Sequence, residues 1–143
     1  MAQNMGRVMG IDFGYARIGI ALSDPLRMLA SGLETLRWDG KDLTWVLERL
    51  DELIAEHAVQ ELVVGVPTRT DGKAGGSSEL GADAFADQLA ERTGLNVRRV
   101  DERFTTVIAD RHLRQAGSKK KKRDVIDQVA AEVILQDYLD RNR

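Results

Sequence analysis

The 143-residue chain contains no cysteine, which removes thiolate metal sites, redox pairs and cysteine nucleophiles from the chemistry open to it. No apolar run approaches the roughly 18 residues needed to cross a bilayer. The opening MAQNMGR has no apolar signal core. The expectation is a cytoplasmic protein with no membrane partner. Histidine is scarce too. His57 and His112 each stand alone on an expected helix, with no second ligand at a useful spacing.

What is present is an ordinary globular composition, 43% hydrophobic and 31% charged, without internal repeat or linker. Residues 1–143 are therefore read as one domain. The net charge of −2 hides an asymmetry. Arg98 to Arg123 is strongly basic (Arg98, Arg99, Arg103, Arg111, Arg114 and the run Lys119, Lys120, Lys121, Lys122, Arg123), while the remainder is acidic. Such a block points to an anionic partner docked at one place.

Two short apolar runs, Val8–Phe13 and Ile18–Leu22, flank Gly14-Tyr15-Ala16-Arg17 and predict a β-hairpin. Asp12 sits inside the first run, although aspartate is a poor strand former and costly to bury unpaired. Gly10, Gly14 and Gly19 surround it, as where a ligand or another backbone comes close. Ser31–Trp38 predicts a third strand, and the spacing of Leu43, Val46, Leu47, Leu50, Leu53 and Ile54 predicts a helix over 42–57. Glu61–Val66 predicts a strand buried on both faces. A glycine-rich loop over 68–78 leads to a helix marked by Ala82, Phe85, Ala86 and Leu89, ending at Gly94. Asn96–Asp101 predicts a last strand. A helix from Thr105 or Thr106 to about Gln115, a basic loop over 118–123 and a helix capped by Asp124 complete the chain. The final helix has the stripe Ile126, Val129, Ala130, Val133, Ile134 and Tyr138. Trp38 and Trp45 are read as core packing.

Three acidic features could carry chemistry: Asp12, the adjacent Asp101 and Glu102, and Asp127 at the edge of the last helix's stripe beside Ala130, Ala131 and Ile134. If the first and last strands are neighbours, all three converge. Carboxylates so gathered repel unless a cation joins them, and oxygen ligands suit Mg²⁺ or Mn²⁺. Two such ions about 4 Å apart would drive an in-line phosphodiester displacement without a protein nucleophile. The run Lys119–Arg123 would hold backbone phosphates. Alternation leaves Asp101 and Glu102 equally open as ligands.

The order β-β-β-α-β-α-β-α-α, giving a mixed sheet of three antiparallel and then two parallel strands flanked by helices, resembles the ribonuclease H-like fold. Four blocks in order, GIDFGYARIGIALSD, ELVVGVPTRTDG, VDERFTT and KKKKRDVIDQVAAEVILQDYL, resemble the YqgF or RuvX family of Holliday-junction-resolvase-like nucleases. The resemblance implies maturation of the 5′ end of pre-16S ribosomal RNA. It assigns the catalytic and metal acids to Asp12, Glu102 and Asp127, with Asp101 second to Glu102, and nucleic-acid contacts to Arg103 and Lys119–Arg123. Asp124 stands where the family often has a basic residue. Thr68-Arg69-Thr70-Asp71-Gly72 replaces the family's usual L-N-M-D-G. The partners implied are pre-ribosomal RNA, or branched or single-stranded DNA, and the ribosomal particle, with a monomer or homodimer. Two other readings are a non-catalytic nucleic-acid-binding module and an actin- or sugar-kinase-like ATPase. The ATPase needs two such lobes, and 143 residues supply one.

Overall fold

The computed structural model describes the backbone of residues 6–66, 77–101 and 119–142, with side chains over 6–66, 81–100 and 126–142. Its strands are β1 (Arg7–Asp12), β2 (Arg17–Ser23), β3 (Ala30–Arg37), β4 (Val59–Val66) and β5 (Asn96–Asp101). Its helices are α1 (Thr44–Glu56), α2 (Ser77–Thr93) and α3 (Lys119–Arg141). The strands form one sheet in the order β3-β2-β1-β4-β5. The pairs β1–β2 and β2–β3 are antiparallel, whereas β1–β4 and β4–β5 are parallel. This is the mixed ribonuclease H-like sheet.

Strand alternation divides the core between two faces. Met9, Ile11, Ile18, Ile20, Leu62 and Val64 pack with Val46 and Leu50 of α1 and Phe85 and Leu89 of α2. Val8, Ala21 and Val63 on the other face meet Ala131, Ile134, Leu135 and Leu139 of α3. Gly94 closes α2 in the left-handed region (φ +72°), and its N–H donates to the Ala90 carbonyl at 3.0 Å.

Five expectations are corrected. β4 lies between β1 and β5, so the first and last strands are not neighbours. Both βαβ connections run to a parallel partner, and β1 accepts β4 first because its other edge is already filled by the hairpin. Residues 119–123 are not a loop capped off by Asp124: α3 begins at Lys119, in keeping with the good helix propensity of Lys and Arg. The buried stripe of α3 is Ala130, Ala131, Ile134, Leu135 and Leu139, while Val129 and Val133 stay partly exposed. Finally, Trp45 is 45% exposed rather than packed in the core. Ser77 and Ser78, expected in the loop, begin α2. Residues 68–76 and the expected helix from Thr105 or Thr106 lie outside the described residues.

Candidate active site

Asp12 ends β1, where its pairing partners are Gly19 on β2 and Gly65 on β4. Neither neighbour carries a side chain. Its parity on the strand matches Val8 and Gly10, which face α3.

Gly19 explains how α3 reaches Asp12. A Cβ on Gly19 would overlap the Asp127 carbonyl oxygen and lie 2.5 Å from its carbonyl carbon and 3.1 Å from Asp127 Cβ. The helix backbone therefore rests directly on the strand. Directly paired cross-strand Cβ positions are about 5 Å apart, so Asp12 and Asp127 have Cβ atoms no more than about 9 Å apart, on one face. Gly10 and Gly32 continue this seat: a Cβ at Gly10 would meet Leu135 Cβ at 2.7 Å, and one at Gly32 would meet Gln128 Cβ at 3.0 Å. Gly10 and Gly19, expected to make room for a ligand or a backbone, make room for a backbone. Gly14 belongs to the turn, where an added Cβ would meet the Arg17 carbonyl at 2.6 Å.

Arg17, which the sequence reading did not single out, donates from Nε to Asp127 Oδ2 at 2.7 Å. The two side chains are 29% and 15% exposed, so the pair is screened only in part. Its signal in the sequence was a cation two residues before Gly19, easily taken for a turn residue.

Asp101 pairs with Val66, one step beyond the Gly65–Val100 pair. It thus ends at the same edge of the sheet as Asp12, two strands or about 10 Å away. Along β5, Val97 packs with the α1/α2 core and Arg99 contacts Asp83 and Asp87 of α2. Val100 packs with the α3 core, and Arg98 approaches Glu61 at 3.5 Å. Odd positions thus belong to the α2 face and even positions to the α3 face. Glu102 and Arg103 lie outside the described residues, and Lys119–Arg123 are described only as the start of α3. Among the described residues, no group of three or more His, Asp or Glu is gathered as metal ligands. Two carboxylates, Asp12 and Asp127, are brought together.

A second polar cluster lies at the opposite end of the sheet. Glu61, 7% exposed, accepts from Arg27 (2.9 Å), Asn96 (2.9 Å) and the Tyr138 hydroxyl (2.8 Å). Burial, and next the hydrogen bond to Glu61, push the Tyr138 phenol above its ordinary value. This network fastens the C-terminal end of α3 to β4, β5 and the β2–β3 turn, and a cleft of about 610 Å³ opens beside it.

The RuvX family model, described as Holliday junction resolvase, matches residues 6–141. The chain belongs to the RuvX family. It is 48% identical over 136 residues to a protein of Moorella thermoacetica named "Putative pre-16S rRNA nuclease", covering 94% of this chain and 95% of that one. Similarity to a protein of the same name from Mycobacteroides abscessus is 46% over 140 residues, covering 96% and 83%. Among solved structures, T. thermophilus RuvC in complex with a Holliday junction aligns with a TM-score of 0.58 at 14% identity, covering 96% and 95%. The Fowlpox virus resolvase, also with junction DNA, aligns at 0.55 and 11%, covering 95% and 98%. At these identities the RuvC and poxvirus matches speak for the fold. Among the described residues, no helix is long and apolar enough to cross a membrane.

Proposed function

We propose that this RuvX family member is a divalent-metal-dependent nuclease that hydrolyses phosphodiester bonds of structured nucleic acid, with the 5′ end of pre-16S ribosomal RNA as its substrate. The observation that carries this is the seating of α3 on Gly19, which sets Asp127 beside Asp12 at the open end of the sheet. The names of the relatives at 46–48% identity support the substrate.

The two carboxylates offer hard oxygen donors on one face with glycines on either side of Asp12, a donor set suited to Mg²⁺ or Mn²⁺. A divalent ion bound there would supply an activated water and charge stabilisation at the leaving oxygen. The third acid in this reading is Glu102, with Asp101 second to it, as the pattern of the RuvX family implies. Arg17 orients Asp127 and keeps one positive charge beside it before substrate arrives. Arg103 and Lys119–Arg123 hold the substrate backbone; for Lys119–Arg123 this matches a cationic run at the N-terminal end of the helix bearing Asp127.

A second reading takes a four-way DNA junction as substrate. It is favoured by the fold shared with RuvC and the poxvirus resolvase, both seen with junction DNA. One experiment separates the two. Wild type and Asp12→Asn are incubated with a 5′-extended 16S ribosomal RNA precursor, a single-stranded DNA and a four-way junction, each in Mg²⁺, Mn²⁺ or EDTA. The expected result is metal-dependent cutting of the RNA precursor by wild type alone. Preferential junction cutting would establish the second reading. Equal cutting by Asp12→Asn would remove the carboxylate site, and binding without cutting would leave a non-catalytic module.

A further inference from the structure

The β2–β3 turn, at the far end of the sheet from the carboxylates, inverts the usual placing of apolar residues inside and cations outside. Leu26 (63%), Met28 (51%) and Leu29 (68%) are exposed, while Arg27 between them is turned inward onto Glu61. The Arg27 backbone lies in the left-handed region, at φ +59°, which residues with a side chain disfavour. The turn is nevertheless pinned. Asp24 Oδ1 accepts from the Met28 and Leu29 N–H groups at 2.7 and 2.9 Å, and Arg27 Nε donates to the Gly6 carbonyl at 2.9 Å. Gln136 of α3 holds the other side, donating to the Met28 carbonyl at 3.1 Å and accepting from the Ala30 N–H at 2.9 Å. Backbone strain fixed by this many bonds, with apolar side chains outward, makes a preformed contact surface rather than a slack turn.

The cleft of about 610 Å³ beside this turn is within the size range of ligand pockets. Leu26, Met28 and Leu139 form its apolar wall, and Arg27, Glu61, Arg98 and Tyr138 its polar one. Its hydrogen bonding is one-sided. Glu61 has about four acceptor sites, and Arg27, Asn96, Tyr138 and, at 3.5 Å, Arg98 all converge on them. The donors are in surplus. Arg98 also bonds the Tyr138 hydroxyl, yet keeps 59% of its side chain in solvent. Those contacts therefore occupy only part of its five-donor fork. With two guanidinium groups to one carboxylate, the lining is net positive. A ligand that fits brings acceptors and negative charge to Arg98, and apolar groups to the leucines and methionine.

The size of the patch narrows the choice. Leu29 lies beside the cleft but outside its lining, so whatever covers the whole patch is larger than a molecule filling the cleft. A nucleic-acid backbone would set phosphates against three aliphatic side chains, whereas phosphates are held by donors. A stable dimer brings together about 20–30 residues a side, and this turn and cleft supply far fewer. We propose that the cleft and the β2–β3 turn form a docking site for a short protein segment in which one carboxylate is flanked by apolar side chains. The carboxylate meets Arg98, and the apolar side chains cover Leu26, Met28 and Leu29. Glu61 is four residues from Gly65, the partner of Asp12, and Tyr138 is eleven from Asp127, roughly 13 and 16 Å. A segment bound here does not occupy the carboxylate site, and the proposal does not rest on the nuclease reading.

The test uses the full chain and three short fluorescent peptides in a glycine–serine background. One carries an aspartate between two leucines, the second has asparagine for that aspartate, and the third has serine for both leucines. Binding is followed by anisotropy and located by amide chemical shifts, with a short single-stranded RNA as a fourth probe. The leucine–aspartate peptide should bind saturably, with shifts centred on residues 26–29, 98 and 138–142. The other two peptides should each bind about fivefold more weakly or worse. Arg98→Gln should abolish the preference for aspartate over asparagine. Leu29→Ser should weaken the leucine–aspartate peptide about fivefold, and it should melt and cut nucleic acid as wild type does, since Leu29 is at the surface. No saturable peptide binding at millimolar concentration overturns the proposal, as does an Arg98→Gln variant that still prefers aspartate. RNA that shifts the same amides more strongly than the peptide overturns it in favour of nucleic acid. A dimer in sedimentation that Leu29→Ser dissolves overturns it in favour of a second copy. Cutting in the nuclease assay is independent of all these outcomes, so that reading stands or falls separately.

Discussion

Gly19→Ala puts the seating of α3 to a direct test. The added Cβ would sit 2.5 Å from the Asp127 carbonyl carbon, where carbon contacts ordinarily begin near 3.5 Å. The obstacle is helix backbone, which no rotamer change can move, so α3 must withdraw by about 1 Å at this point. The helix there packs through Ala130, Ala131 and Ile134 against the sheet, and overpacking of this kind costs about 1–3 kcal/mol. At about 3–4 °C per kcal/mol for a chain of this length, a 2 kcal/mol loss lowers the melting temperature by about 6–8 °C. The catalytic effect should be larger. A displacement of about 1 Å in a catalytic group costs roughly a hundredfold in rate, and here the displaced group is Asp127 itself. Circular-dichroism melts give the stability term. Single-turnover cleavage well below the melting temperature gives the positional one. Gly32→Ala is the milder comparison, because its new Cβ meets Gln128 Cβ at 3.0 Å, which calls for a shift of only a few tenths of an ångström, and Gln128 Oε1 at 3.1 Å, which can rotate away. That variant should cost no more than about 1 kcal/mol, chiefly the 3.2 Å hydrogen bond from Gln128 to Thr35. A Gly19→Ala variant that melts and cuts like wild type would refute the argument, as would a Gly32→Ala variant that is equally damaged.

Other consequences can be checked with the same protein. Glu61→Leu leaves Arg27, Asn96 and Tyr138 without their shared acceptor and should cost about 2–4 kcal/mol by urea unfolding. Because the cluster lies at the far end of the sheet, cleavage below the melting transition should be unchanged. Arg17→Gln removes the cation 2.7 Å from Asp127 and should lower the Mg²⁺ concentration for half-maximal cleavage by up to about fivefold, the effect of a partly exposed pair worth about 1 kcal/mol. An unchanged or higher requirement would show that Arg17 acts chiefly as a brace. Stability should be level above pH 5 and fall on acidification. Asp24 is held below its ordinary 3.8 by the Leu29 and Met28 N–H groups, and Glu34 is held below 4.5 by hydrogen bonding to Arg49. Such depressed carboxyls stabilise the fold above their unfolded values and lose that contribution as pH drops through their folded ones. The decline should begin near 4.5 and continue below 3.8, measured as melting temperature against pH.

Most of the fold was legible because each element carried its own period. Glu61–Val66, continuous and apolar, became a central strand, and 42–57 became α1 within two residues at each end. What the period could not give was spatial order. Nothing in Asp12 or Asp101 states that β4 intervenes, since a βαβ connection tells only that the strands are parallel and not which edge is free. The phase of α3 was misjudged for a related reason. Val129 and Val133 look like better core residues than Ala131, but the facing strands offer Gly10, Gly19 and Ala21, and a flat, small-residue surface takes alanine. The position of Asp127 relative to Ala130, Ala131 and Ile134 was legible because it is a property of the helix alone. Arg17 was missed because its partner is 110 residues away.

The extension of α3 back to Lys119 changes the electrostatics at the site end of the protein. Cations in the first turn of a helix oppose its macrodipole, each by about 0.3–1 kcal/mol, and here four lysines and Arg123 occupy the opening residues with no acid in the first turn. Had residues 118–123 been a loop, with the helix starting at Asp124, the dipole would have been complemented and the lysines left to solvent. In the observed arrangement the backbone N–H groups, the dipole and the side-chain charges all have the same sign. The helix is stabilised from its other half, by Ala131, Ile134, Leu135 and Leu139 in the core and by Tyr138 on Glu61. The cationic end can therefore be kept at a cost that packing elsewhere offsets. Positions 123 and 120 lie four and seven residues before Asp127 along this helix, and a polyanion bound at its opening turns would relieve the charge repulsion there.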